Sequence, residues 1–224
     1  LIMAFLLNAF ALWDIHYMVR LENWRRQFGG AFATWIQVLA RVEVLNSLAN
    51  LAFNRNDLSY PIVSSQDYQF VMEEGGHPLM DPKDRIDNSI SFTNEGQIKI
   101  VTGANMAGKS TLLRTVGTNM LLAMLGAPVC AKKLTFSPIR LRTSVRTNDS
   151  LGDNASYFYA ELVKLGKIMT DLKENGAVFV IVDEMLKGTN SNDKHSGSVG
   201  LVKQLIGLGA IGLVATHDIE LGKL

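Results

Sequence analysis

The rhythm of apolar positions changes near residue 60. In "HYMVRLENWRRQFGG" and "AFATWIQVLARVEVLNSLANLAF" apolar residues recur at three- and four-residue spacing with no proline between them. That spacing predicts about two long helices between Asp14 and about Phe53, the first ending at the glycine pair Gly29 and Gly30. Trp13, Trp24 and Trp35 fall on these helices and are expected in their core. Ahead of them "LIMAFLLNAFALW", Leu1 to Trp13, is uncharged and apolar. It is shorter than the ~20 residues a bilayer requires, and two readings stand: a buried helix, or the end of a membrane helix. "NRNDLSYP" then reads as a linker into Pro61, so residues 1–60 form a small helical region and residues 61–224 a second domain.

Beyond Pro61 the pattern shortens. "SISF", "QIKIVT" and "LTFSPIRLRTSV" are candidate strands beside turn-rich stretches such as "EEGGHPLMDPKDRIDN". "AVFVIVDE" is a β-branched run that starts after Gly176 and closes on carboxylates, as a parallel strand buried on both faces does. "AIGLVATH" is another. Strands alternating with helices predict an α/β domain with a mostly parallel sheet and its site at the carboxyl ends of the strands.

One turn carries chemistry. "GANMAGKS", Gly103 to Ser110, fits the phosphate-loop spacing G-x-x-x-x-G-K-S, directly after a strand and opening a helix. Backbone N–H groups there face inward and favour phosphate oxygens. Lys109 would reach the β and γ phosphates of a bound nucleotide, and the Ser110 hydroxyl would ligate Mg²⁺. Small residues at Gly103, Ala104, Ala107 and Gly108 allow close approach of the backbone. Downstream, "VFVIVDE" ends on Asp183 and Glu184, an arrangement that sets one carboxylate near the metal and the next near an attacking water. Asp183 would hold Mg²⁺, and Glu184 would orient and deprotonate the nucleophile. "ATHD" puts His217 at the end of another buried strand, where it could hydrogen-bond the γ-phosphate.

Composition adds bounds. With 47% hydrophobic residues the chain is globular, and a formal net charge of +1 marks no overall nucleic-acid-binding surface. The basic stretch "AKKLTFSPIRLRTSVR" reads as a solvated strand surface. Cys130 is the only cysteine, which excludes a disulfide framework within the chain; a packing role and a reduced, cytoplasmic setting are expected.

Several ordered motifs together resemble the ATPase domain of MutS-type DNA mismatch-repair proteins, within the ABC-type ATPases. "TGANMAGKST" looks like T-G-P-N-M-x-G-K-S-T, and includes Asn105, Met106 and Thr111 in the nucleotide-binding set. "DEMLKGTNSNDK" resembles D-E-x-x-x-G-T-S-x-x-D, "ATHDIEL" resembles A-T-H-x-x-E-L, and "SYFYAEL" resembles S-x-F-x-x-E. "GGHPLM" is similar to the family's G-R-H-P, and "ARVEVLNSLANLAF" to the helices joining the core and lever to the ATPase. The resemblance implies a P-loop NTPase fold of the ABC type, Mg²⁺-dependent ATP hydrolysis and a homodimer with composite sites. Ser156 would be donated across that dimer to the γ-phosphate at the partner's phosphate loop, and Asn190 would communicate between the two sites. Ala104 and Ala107 stand where proline and glycine are usual, and Lys187 where arginine is common. The adenine platform aligns near Arg85 and Ile86, with no aromatic residue at that spot. No segment resembles the mismatch-reading domain, and family members continue past the histidine motif, so a longer parent chain is expected. DNA contact would lie outside these residues. An ATP-driven switch in DNA repair is the first functional expectation, and a membrane-tethered ATPase, attached through the apolar N-terminal run, is the alternative.

Overall fold

In the computed structural model, residues 9–104, 106–145, 154–186 and 191–223 are described. The chain divides into two compact units, Leu1–Phe53 and Asn54–Leu224.

The first unit holds helices α1 (Trp13–Phe28) and α2 (Phe32–Asn54), joined by a 3₁₀ turn at Gly29–Ala31. Gly29 caps α1 with φ −58° and ψ −35°, which are helical values, so the glycine pair tightens the helix for one turn instead of ending the helical path. The three tryptophans do not form a core. Trp13, Trp24 and Trp35 are 45%, 44% and 46% exposed, which corrects the expectation from sequence. The physical reason is that the two helices bury no residue against each other among those described, so their apolar side chains, the tryptophans included, stay at the surface of the unit. Local ring contacts remain, with Trp24 6.4 Å and Phe28 6.0 Å from Trp35 between ring centroids.

The second unit has two four-stranded sheets. Strands β1 (Ile62–Val63), β2 (Phe70–Gly75), β3 (Asn88–Phe92) and β5 (Ala131–Phe136) form a sheet of order β1-β5-β2-β3, antiparallel except for the β1–β5 pair. Strands β4 (Ile98–Thr102), β6 (Arg140–Ser144), β7 (Val178–Asp183) and β8 (Ile211–Thr216) form an all-parallel sheet of order β4-β8-β7-β6. The helices are α3 (Lys109–Met124), α4 (Asn154–Asn175) and α5 (Ser191–Gly207), followed by a 3₁₀ turn at Glu220–Lys223.

The sequence pattern foresees the parallel sheet and not the second, mainly antiparallel one. "LTFSPIRLRTSV" reads as one strand but is two, in different sheets. Pro138 explains the break, because it has no N–H to give a ladder and restricts Ser137 before it. Ser137 leaves its strand through hydrogen bonds with Gln69, its N–H on the Gln69 carbonyl at 2.7 Å and its hydroxyl accepting from Gln69 N at 2.6 Å.

Alternation along β7 and β8 divides the interior. Phe179 and Ile181, with Ile211, Leu213 and Ala215, face a core shared with Leu113, Val116 and Met120 of α3 and with Phe70, Met72, Phe92 and Leu134 of the other sheet. Val178, Val180, Val182 and Val214 face the opposite way, onto Leu165, Ile168 and Leu172 of α4 and Val202 and Leu205 of α5. Phe179 joins the two sheets, with ring centroids 5.3 Å from Phe70 and 5.2 Å, edge-on, from Phe92. Gly212, at φ 151°, lies so close to the Val180 backbone that a Cβ could not fit between the central strands.

Polar groups fix α3 to the antiparallel sheet. Buried Asn119 donates to the Gly76 carbonyl at 2.9 Å and accepts from Cys130 N at 2.7 Å. Cys130 is itself buried, in the packing role expected of it, and its thiol is pushed up in pKa mainly by that burial. Beside it Arg85 bridges Asp57 at 2.7 Å and Asp87 at 2.8 Å, and Arg55 pairs with Asp57 at 2.7 Å. Hydrogen bonding to Arg55, and then to Arg85, holds the Asp57 carboxyl well below the usual carboxylate range.

Because the folded-state pKa of Asp57 is depressed, its contribution is complete above the ordinary Asp value of about 3.9 and fades as pH falls below it. Asp57→Asn is expected to lower stability at pH 7 by about 1–2 kcal/mol. Denaturant titrations should also show a smaller loss of stability between pH 4 and pH 2 in this variant than in the unsubstituted chain.

Candidate active site

Parallel strands that end together deliver their following residues to one edge. At that edge stand the turn after β4, the Asp183–Glu184 pair at the end of β7, and His217 just past β8. In the turn, Gly103 has φ 154° and Gly108 φ 84°, left-handed values that suit glycine, and Gly108 caps the N-terminus of α3. Met106 also has positive φ, 63°, and its side chain is fully exposed. Ala104 and Ala107 complete the described part of the turn; Asn105 lies outside the described residues. Lys109, first residue of α3, curls back over the loop, and its ammonium donates to the Gly103 and Ala104 carbonyls at 2.7 Å each. The same nitrogen is 3.4 Å from His217 Nδ1. Ser110 and Thr111 follow in the first turn of α3, where N–H groups have no intrahelical partner.

Glu184 is positioned by its backbone. Its N–H donates to the Ala215 carbonyl at 2.9 Å, extending the β7–β8 ladder by one residue, and its φ of 61° turns the chain out of the sheet. Left-handed geometry at a non-glycine residue costs of order 1–3 kcal/mol and persists where the surroundings enforce it. Here one carboxylate oxygen, Oε2, lies 3.8 Å from His217 Nε2, and the other, Oε1, accepts from Lys194 Nζ at 3.1 Å. Lys109, His217, Glu184 and Lys194 thus form one row of alternating donors and acceptors. The carboxylate is 16% exposed and the imidazole 40%, an edge open to a polar ligand.

Neighbouring contacts support this row. Asp218 accepts from His195 Nδ1 at 2.5 Å, and that hydrogen bond is the main cause of its lowered pKa. Its own backbone N–H donates to Thr216 Oγ1 at 3.0 Å. Leu186, also left-handed at φ 55°, donates its N–H to Glu161 Oε1 at 2.7 Å. Glu161 is the last residue of the S-x-F-x-x-E pattern, so helix α4 holds the segment just after Glu184.

The structure therefore gathers Lys109, His217 and Glu184, with Asp183 ending the adjacent strand. Ser156 sits near the start of α4, but its side chain, like Lys187 and Asn190, lies outside the described residues. Arg85 is not available as a stacking plane: its side chain is 10% exposed and ion-paired to Asp57 and Asp87, while Ile86 next to it is exposed. Sequence reasoning did not single out Glu161, Lys194, His195 or Asp218. Glu161 and Asp218 lie inside recognised motifs, which was a usable signal. Lys194 and His195 follow the last motif position, Asp193, and only the packing of α5 brings them to the edge.

Residues 99–224 match the family described as MutS domain V. Over 189 residues the chain is 33% identical to the DNA mismatch repair protein MutS of Thermotoga neapolitana, covering 83% of this chain and 23% of that protein. It is 36% identical over 197 residues to the DNA mismatch repair protein MutS of Desulforapulum autotrophicum (84% and 22% covered), and 30% identical over 191 residues to that of Aquifex pyrophilus (84% and 22%). The chain spans about a quarter of the length of these curated relatives.

Glu161→Ala leaves the part-buried Leu186 amide without its acceptor, which costs about 1–3 kcal/mol. Hydrogen exchange at the Leu186 amide should be faster in this variant than in the unsubstituted chain, with the β7 amides unchanged. Equal protection at Leu186 in both proteins would refute the contact.

Proposed function

Because this chain belongs to the MutS family, which it matches through domain V, we propose that it is the ATP-binding and ATP-hydrolysing part of a dimeric switch in DNA repair or DNA-structure processing. The observation that carries this reading is the row at the sheet edge: Lys109 on the phosphate turn, 3.4 Å from His217, and Glu184, 3.8 Å from the same imidazole.

The turn from Gly103 to Gly108, with Asn105 and Met106 in it, and the first turn of α3, with Lys109, Ser110 and Thr111, would receive the phosphates of ATP through backbone N–H groups. The Lys109 ammonium would pass from its two loop carbonyls to the β and γ phosphates. Ser110 and Asp183 offer two hard oxygen donors at this edge. Among the described residues no three His, Cys, Asp or Glu side chains converge as in an all-protein metal cage. That donor set suits Mg²⁺, which binds one or two protein oxygens and completes its shell with phosphate and water. When bound, the ion neutralises phosphate charge.

Hydrolysis is then a proton transfer coupled to an in-line displacement. The Glu184 carboxylate accepts a proton from water as the water oxygen bonds to the γ-phosphorus. The bond between that phosphorus and the β–γ bridging oxygen breaks, and ADP and inorganic phosphate leave. His217 hydrogen-bonds the γ-phosphate. Ser156 of a second copy would complete the site, Asn190 would take part in communication between the two sites, and the helices of residues 1–60 would carry closure towards DNA-contacting parts outside this chain.

A second reading has its own observation. Trp13–Asn54 is an apolar helical span whose best 18-residue stretch has a mean hydropathy of 1.2, with none of it buried. On that reading the same ATPase is tethered to a membrane. Flotation with phosphatidylcholine vesicles tests it: cofloating protein supports the tether, and an active ATPase that stays in the dense fraction removes it.

For the main reading, Glu184→Gln should bind MgATP without turning it over and accumulate as a dimer. Light scattering at saturating MgATP is expected to give twice the monomer mass. A variant that remains monomeric overturns the composite site, and rates measured with paired, mismatched and branched DNA show which structure the switch senses.

A further inference from the structure

We propose that Lys194 is a positioning residue for the hydrolytic carboxylate, holding one oxygen of Glu184 so that the other is presented to the attacking water; this rests on the reading of Glu184 as the group that receives the water proton. Backbone contacts fix where Glu184 leaves the sheet, and side-chain contacts fix where its carboxylate points. The Lys194 ammonium takes Oε1 at 3.1 Å, and Oε2 is the oxygen that faces His217 at 3.8 Å.

Two further features of α5 point the same way. Lys194 lies in the first turn of this helix, where the helix dipole disfavours a positive charge. Yet its side chain is 26% exposed instead of extended into water, and it is directed onto a carboxylate that is 16% exposed. A lysine serving only solubility would have no reason to be held there. The next residue, His195, holds Asp218, and Asp218 adjoins His217. One helical turn therefore reaches two members of the row: Lys194 holds the carboxylate, and His195 holds the segment that carries the imidazole.

This arrangement separates two jobs among the cations at the edge. Lys109 belongs to the phosphate turn and would act on the substrate. Lys194 would act on Glu184 alone, and through it on the attacking water. Its loss should therefore slow the chemical step and spare nucleotide binding.

The test is steady-state MgATP hydrolysis by the full-length protein carrying Lys194→Met, with Lys194→Arg as the conservative variant. For Lys194→Met the expected result is a kcat lower by about ten- to a hundredfold, as for a misplaced catalytic group, with KM for ATP within about twofold. Lys194→Arg should recover most of the rate, because a guanidinium can also hold the carboxylate. Undiminished kcat in Lys194→Met overturns the positioning role while leaving the ATPase reading intact. A rise in KM with unchanged kcat overturns it in favour of a direct phosphate contact, and an arginine variant as slow as the methionine one also counts against it. Absence of ATP hydrolysis by the unsubstituted protein overturns both readings together.

Discussion

The hydrogen bond from Glu184 N–H to the Ala215 carbonyl, 2.9 Å long, is the contact on which the candidate site depends. It is the last rung between two parallel strands that are buried on both faces. While β7 and β8 keep their register, with Asp183 opposite Ala215, the residues beyond them must emerge together. The left-handed turn at Glu184 and the exit of the chain at His217 then follow from one ladder. Gly212 protects that register from inside, because the close approach of β8 to the Val180 backbone leaves no room for a side chain. The chemistry at the edge is thus set by packing several residues away from it.

Charge at the edge is balanced in a line. Lys109, His217, Glu184 and Lys194 alternate in sign or hydrogen-bonding role, so no charged member of the row stands without a partner of the other kind. Such a line suits a site that must accept a highly charged ligand and release it again. A phosphate chain entering at Lys109 would exchange one set of oxygen acceptors, the loop carbonyls, for another.

Much of this was legible in the sequence. The phosphate turn, the two buried strands and the residues at their ends carry local signals: glycines at positive φ, unbroken β-branched runs, and carboxylates or histidine directly after them. What was not legible required two segments to meet. The antiparallel sheet was obscured because β1 is two residues long and because "LTFSPIRLRTSV" runs through a sheet change that only Pro138 hints at. Aromatic residues on apolar helices usually pack inward, but the two helices of this unit bury none of their described residues, and the tryptophans stay exposed with them. Arg85 aligned with a base-stacking position, whereas its partners Asp57 and Asp87 claim the guanidinium.

The ionic knot of Arg55, Asp57, Arg85 and Asp87 also has a mechanical meaning. It ties Arg55 and Asp57, at the start of the second unit, to Arg85 and Asp87, just before β3, so two distant stretches of that unit are held together. Arg85 leans on Cys130, Cys130 is hydrogen-bonded to Asn119, and Asn119 belongs to the helix that begins at the phosphate turn. A load on this knot is therefore carried within the second unit through braced contacts rather than a slack chain, as far as the helix whose first residue is Lys109.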